Sequence, residues 1–175
     1  MASKLKTDIL ETVSGSGTIA LTNQLSGMTS ASMPSGSVLQ VVQNYNPSAA
    51  MISSTSSTLV ASGIQATITP KYANSLILVN YSCTMVDQNT SGGSGAAKMY
   101  LNGSVMAGAT NYHMMYITFG HNRYSPISFN GQYTATSTSA LTFEPYFHCD
   151  SGNNANVRFV HGNSSYALTL TEIKQ

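Results

Sequence analysis

Ionised side chains are scarce in this sequence. Of 175 residues, seven are Lys or Arg and six are Asp or Glu, 7% in all, against about 25% in ordinary soluble domains. Lys4, Lys6, Asp8 and Glu11 crowd the first eleven positions, and the next ionised residue is Lys71. Thr12 through Pro70 holds no Asp, Glu, Lys or Arg at all. A net charge of +1 without a basic cluster argues against nucleic acid as a partner, because neutralising phosphates takes Lys and Arg. Coiled coil is excluded too, since a/d heptads and flanking charges are both missing. Apolar runs stop at strand length, as in Leu76-Ile77-Leu78-Val79, whereas a membrane span takes about 20 residues. No membrane insertion is expected. The opening Met-Ala-Ser-Lys-Leu-Lys lacks the apolar stretch of a signal peptide. Only Cys83 and Cys149 carry thiols, too few for a disulfide framework or a metal-ligand spacing. Free buried thiols are the default reading without a secretion signal, with a disulfide between two strands as the alternative.

What fills the chain instead is uncharged polarity. Ser, Thr, Asn and Gln occupy 66 positions, while 42% of residues are hydrophobic. That hydrophobic share with low net charge is the reverse of the disordered signature. Residues 1–25 are polar with sparse apolar positions, Leu5, Ile9, Leu10, Ile19, Leu21 and Leu25. Thr18-Ile19-Ala20-Leu21-Thr22 alternates as a short strand does, after the turn signal Ser14-Gly15-Ser16-Gly17. So few apolar groups do not offset an ordering entropy of about 1–2 kcal/mol per residue, so this segment is expected to order on other copies or on a larger partner. Residues 26–37, rich in Ser, Gly and Met, read as a linker of small residues.

From Val38 to Gln175 the pattern is that of strands. Val38–Gln43 is rich in β-formers, and Ile64–Thr69 alternates until Pro70. Leu76–Met85 is the best candidate for a central strand buried on both faces. Asn102-Gly103 between two short apolar runs predicts a type I′ hairpin. Further strands are expected at 113–119, 127–129, 132–136, 140–147, 157–160 and 166–173. No stretch shows a helical stripe with capping signals. Short strands at turn-punctuated spacing imply an antiparallel sandwich. The fold class expected is all-β, an antiparallel, jelly-roll-like β-sandwich head over 38–175 behind an extended N-terminal strand segment.

Motifs for chemistry are weak. Gly15-Ser16-Gly17-Thr18-Ile19-Ala20 mimics a dinucleotide fingerprint, but strand-like residues follow where that motif needs a helix N-terminus. Ser91-Gly92-Gly93-Ser94-Gly95 has no Gly-Lys-Ser/Thr ending and reads as a flexible loop. Glu144 and Asp150 would stand roughly 20 Å apart on a straight strand, beyond the about 5–10 Å of a glycosidase pair. His113, His121, His148 and His161 are isolated, which leaves a metal site only to convergence from distant strands. No serine sits in a nucleophile elbow. The chain is read as non-enzymatic, with no cofactor and no metal. The loops are more informative: Asn111 and Tyr112, His121, Asn122, Arg123 and Tyr124, and Asn153 and Asn154 combine flat aromatic area with adaptable hydrogen bonding. These are candidate receptor contacts, and ordinary surface loops are the alternative.

One resemblance emerges from particular residues. Ser3-Lys4-Leu5-Lys6-Thr7-Asp8-Ile9-Leu10-Glu11-Thr12, followed by Gly15-Ser16-Gly17-Thr18-Ile19-Ala20-Leu21, resembles the opening of small virion proteins of tailed bacteriophages, particularly marine ones. These are tail fibre, head fibre or minor structural proteins. The resemblance continues through Val38–Val42, Ile68-Thr69-Pro70, Ser75–Val79 and Leu168–Ile173, with Leu76 where the family often has Lys and a linker shorter than is usual. It implies a homotrimer located in the virion, with N-terminal segments intertwined or docked on other virion proteins through Leu5, Ile9, Ile19, Leu21 and Leu25. The sandwich heads would be displayed outward, where they could contact host-surface glycans. Capsid decoration without a receptor role, and a stand-alone carbohydrate-binding module, are the competing expectations. On the assembly reading, the charge-free stretch is a surface shared among subunits, since like charges gathered at an axis would repel. The ionised residues from Lys71 onward are expected mostly at the head's exposed surface, and residues 12–37 are expected to be buried chiefly by other chains.

Overall fold

The computed structural model describes residues 33–88, 93–106, 115–119, 123–150 and 156–175. Among them there is no helix, and every strand pairing is antiparallel. Twelve strands follow in chain order: β1 (Val38–Asn46), β2 (Ile52–Ser54), β3 (Val60–Ala61), β4 (Ala66–Ile68), β5 (Leu76–Gln88), β6 (Gly93–Leu101), β7 (Ser104–Val105), β8 (Met115–Phe119), β9 (Arg123–Thr134), β10 (Leu141–Asp150), β11 (Asn156–Val160) and β12 (Tyr166–Ile173). They form two six-stranded sheets in a sandwich-like, all-β arrangement.

The first sheet is built around β5. One of its edges carries β9 from Leu76 opposite Thr134 to Asp87 opposite Arg123. The other edge carries β12 along Leu76–Ser82 and β11 along Val86–Gln88. Beyond β12 lies β1, and beyond β11 lies β2. In the second sheet β10 is central, with β6 on one side and the short β3 and β4 on the other. The far side of β6 pairs with β7 and β8. Among the described residues β9 pairs with β5 alone and so forms a sheet edge, and it carries Pro126. Proline fits such an edge because its missing N–H costs nothing where the backbone faces solvent.

Alternation along β5 sets the inside and outside of the first sheet. Ile77, Val79, Tyr81 and Cys83 are buried, while Asn80 and Ser82 are exposed and Leu78 and Thr84 half-buried. The strand is central, but the expectation of burial on both faces is corrected. Among the described residues no element packs on its outer face, and the polar residues at alternate positions belong there. Leu168 and Leu170 from β12 and Phe143 and Phe147 from β10 complete the shared core. Without tryptophan, the centre is a column of three rings: Tyr81 stacks on Phe159 at 5.6 Å, and Phe159 on Phe147 at 4.8 Å. The last contact joins the two sheets. Burying each such ring contributes about 1.5–3 kcal/mol.

Cys83 and Cys149 are both buried, reduced thiols, as the composition suggested. The Cys83 thiol donates to the Phe159 carbonyl at 3.1 Å, and burial pushes its pKa up to about 12. Burial likewise raises the neighbouring Tyr81 phenol well above its usual range.

Three further readings are refined. The two runs expected at 127–129 and 132–136 are one strand, β9, because Gly131 lets the chain continue opposite Val79. A Cβ at Gly131 would lie 2.6 Å from Phe129 Cε1 and 3.0 Å from Met106 Cε, so the Phe129 ring fills the place of a side chain. Gly93-Ser94-Gly95, expected in a loop, opens β6. There the backbone is paired on both sides, by β8 and β10, which outweighs the weak strand preference of glycine. The Asn102-Gly103 hairpin forms as predicted, with φ of 49° and 77°.

The ionised residues are not all at the surface. Lys71 is exposed, but Glu172 is 0% and Glu144 8% accessible. Glu172 accepts from the backbone N–H of Lys71 at 2.8 Å and from the Gln40 amide at 2.6 Å. Glu144 accepts from the Gly63 N–H and the Gln65 amide, both at 2.8 Å. A carboxylate can stay buried when charge-assisted bonds replace its water. Together the two pin the chain just before and just after β4.

Candidate functional site

The connections expected to carry recognition residues start from strand ends that the topology gathers. Asp87 lies opposite Arg123, Gln88 opposite Asn156, and Ser94 opposite both Asp150 and Thr118. The β5–β6, β8–β9 and β10–β11 connections therefore leave from one end of the sheets. His121, Asn122, Asn153 and Asn154 belong to these connections and lie outside the described residues. So do Asn111 and Tyr112, which fall between β7 and β8, and Leu5, Ile9, Ile19, Leu21 and Leu25. Arg123 opens β9, and Tyr124 follows it on the outer face.

Tyr124 is 64% exposed, yet its ring has a defined neighbour. The His161 imidazole meets it edge-on, with centroids 5.0 Å apart and planes at 70°. Pairs in this geometry contribute about 0.5–1.5 kcal/mol beyond area burial. His161 is itself held firmly. Its N–H donates to Thr84 O at 3.2 Å, and its carbonyl accepts from both the N–H and the hydroxyl of Ser164. Asn163, at φ 63°, makes the turn, and Ala49 exchanges backbone hydrogen bonds with Asn163 and Ser164. Sequence reading offered His161 only as an isolated histidine. No local signal could have joined it to Tyr124, because the two meet across β5 through sheet register.

Beside this pair the outer face dips. A depression of about 370 Å³ is lined by Ser82, Thr84, Pro126, Ser128 and Ser165 among others. A second, of about 280 Å³, continues along Asn80, Asn130 and Gln132. Hydroxyls and amides line both beside apolar Pro126, Ile127 and Leu78, and neither lining includes an ionised side chain. Toward β1 the same face carries Thr169, bonded to Gln43 at 2.9 Å, and then exposed Val41 and Tyr45.

Arg158 completes the loop end of this face. It stands opposite Val86 on β11, as Tyr124 does on β9, so both side chains leave on the outer side of β5. Its Nε is buried and has no hydrogen-bond partner. Glu144, weighed as a hydrolytic acid, has both oxygens engaged by Gly63 and Gln65. Among the described residues, no group of three or more His, Cys, Asp or Glu side chains converges to hold a metal ion. Comparison with protein-family models gave no match, and comparison with curated proteins found no significant similarity.

Proposed function

We propose that the chain is a non-enzymatic structural protein of a tailed-phage virion, a homotrimer whose jelly-roll heads stand out from the particle and contact host-surface glycans. The observation that carries this reading is the strand order. The first sheet contains the run β1-β12-β5-β9 and the second β4-β10-β6-β8. The chain enters them as β1, β4, β5, β6, β8, β9, β10, β12, an order that supports reading the head as two Greek keys wound into a jelly roll. That architecture recurs in viral capsid and lectin domains. Support for an assembled state comes from the outer face of β1 and β12, where Val41 and Tyr45 are each 57% exposed and no charge opposes a like copy. The occupied oxygens of Glu144 favour a role without catalysis.

Sedimentation at micromolar concentration tests the assembly: a species of three chains is expected, and a monomer overturns it. Deleting residues 1–25 should abolish incorporation into particles while the head stays folded. Antibody labelling of intact particles in the electron microscope then separates a tail position from capsid decoration.

A further inference from the structure

We propose that Tyr124, His161 and Arg158 form a binding site for a sugar ring that carries a carboxylate. Tyr124 and Arg158 approach the same outward-facing residue position, Val86, from opposite sides of β5. Contact with His161 fixes the Tyr124 ring next to the stretch of β5 that begins at Thr84. Three side chains from two strands and a turn thus surround one patch of sheet. Arg158 is the charged donor on this patch. Its Nε is buried and unpartnered, which is costly for a charged donor. A planar carboxylate is the acceptor that matches a guanidinium fork with two parallel bonds. Glu144 and Glu172 are bound to their own donors elsewhere.

The rest of the patch fits a pyranose. Tyr124 offers a flat face with a hydroxyl at its rim, held in place before any ligand arrives, so little ordering entropy is lost on binding. The Ser82, Thr84 and Ser165 hydroxyls line the adjoining depression and can both donate to and accept from sugar hydroxyls. The ligand class is an acidic saccharide, either a sialylated or a uronate-containing glycan.

This site rests on the recognition role given above to the loop end of the head, not on the oligomeric state. The two fail separately: a monomer that still binds overturns the trimer alone, and a trimer that does not bind overturns the site alone. The test is saturation-transfer NMR and calorimetry on the full chain with sialyllactose, trigalacturonate and, as neutral reference, lactose, at low-millimolar concentration. At least one acidic saccharide should bind more tightly than lactose. Arg158→Gln should weaken that binding by about tenfold or more and leave lactose unchanged, while Arg158→Lys, which keeps the charge, should retain part of it. Tyr124→Ala should remove binding and Tyr124→Phe preserve most of it. Absence of transfer to both acidic saccharides overturns the site. So does an unchanged acidic affinity in a natively folded Arg158→Gln or Tyr124→Ala chain.

Discussion

The two outward faces of the sandwich use their polar groups in opposite ways. On the second sheet, the Glu144 carboxylate is closed by Gly63 and Gln65. Beside it Tyr100 and Tyr146 stack at 3.8 Å, with Lys98 opposite Tyr146 in the register. Thr67 and Thr142 bond each other at 2.8 Å. Polar groups on that face are spent inside the molecule. On the first sheet, Asn80, Ser82, Ser128 and Asn130 are exposed and line open depressions. Groups already engaged stabilise a fold, and groups left open are available to something else. This difference, rather than the identity of any one residue, is why the first sheet is proposed as the side for partners.

Substitutions test the contrast in order of size. Glu172→Ala removes the acceptor of the Lys71 N–H and the Gln40 amide in a fully buried position. It should cost about 3 kcal/mol in denaturant unfolding, and a loss below 1 kcal/mol, roughly a surface-site effect, would mean the carboxylate is not a structural pin. Glu144→Ala on the committed face should cost about 2 kcal/mol for the same reason, less because its site is nearer solvent. Gly131→Ala should lower stability by about 1–3 kcal/mol, because the Phe129 ring must leave its rotamer to admit a methyl group. Asn130→Ala, next to it in sequence but on the open face, should change stability by no more than about 0.5 kcal/mol. If Asn130→Ala proves as costly as Glu144→Ala, the distinction between the faces collapses.

Alkaline pH probes the interior in a similar way. The folded protein favours the neutral Cys83 thiol, with a pKa raised from 9.0 to about 12. The unfolded chain releases that proton first. Stability from this group is therefore complete below about pH 9 and is lost progressively as pH rises toward 12. Urea midpoints measured across that range should fall, and less steeply in Cys83→Ala. A flat profile in the parent would contradict the burial of the thiol.

Much of this architecture was legible in the sequence. The run 166–173 is β12 without adjustment, and Asn102-Gly103 carries its hairpin because both residues accept positive φ. Local pattern failed where a neighbour, not the segment, decided the outcome. Gly131 looked like a break between strands until the Phe129 ring was seen to occupy its side-chain space. β2 and β3 span only three and two residues, too short for any periodicity, and exist because β11 and β10 offer them edges. The buried glutamates could not be read either, since their donors lie about eighty and a hundred residues away or more. Of the loop residues singled out for recognition, Tyr124 is described with its side chain and is exposed as a contact residue must be. Its companions His161 and Arg158 came only from the register across β5.

Pro126 sets a limit on how such a sheet can grow. It stands in β9, one margin of the first sheet, where it removes a donor that an incoming strand would need. The opposite margin, β1, has neither proline nor lysine along its nine residues. Of these two long margins β1 is the one less guarded against an added strand, and the three-residue β2 beyond β11 is a further, much shorter one. Edge-to-edge growth of the first sheet is thereby steered away from β9 and toward β1.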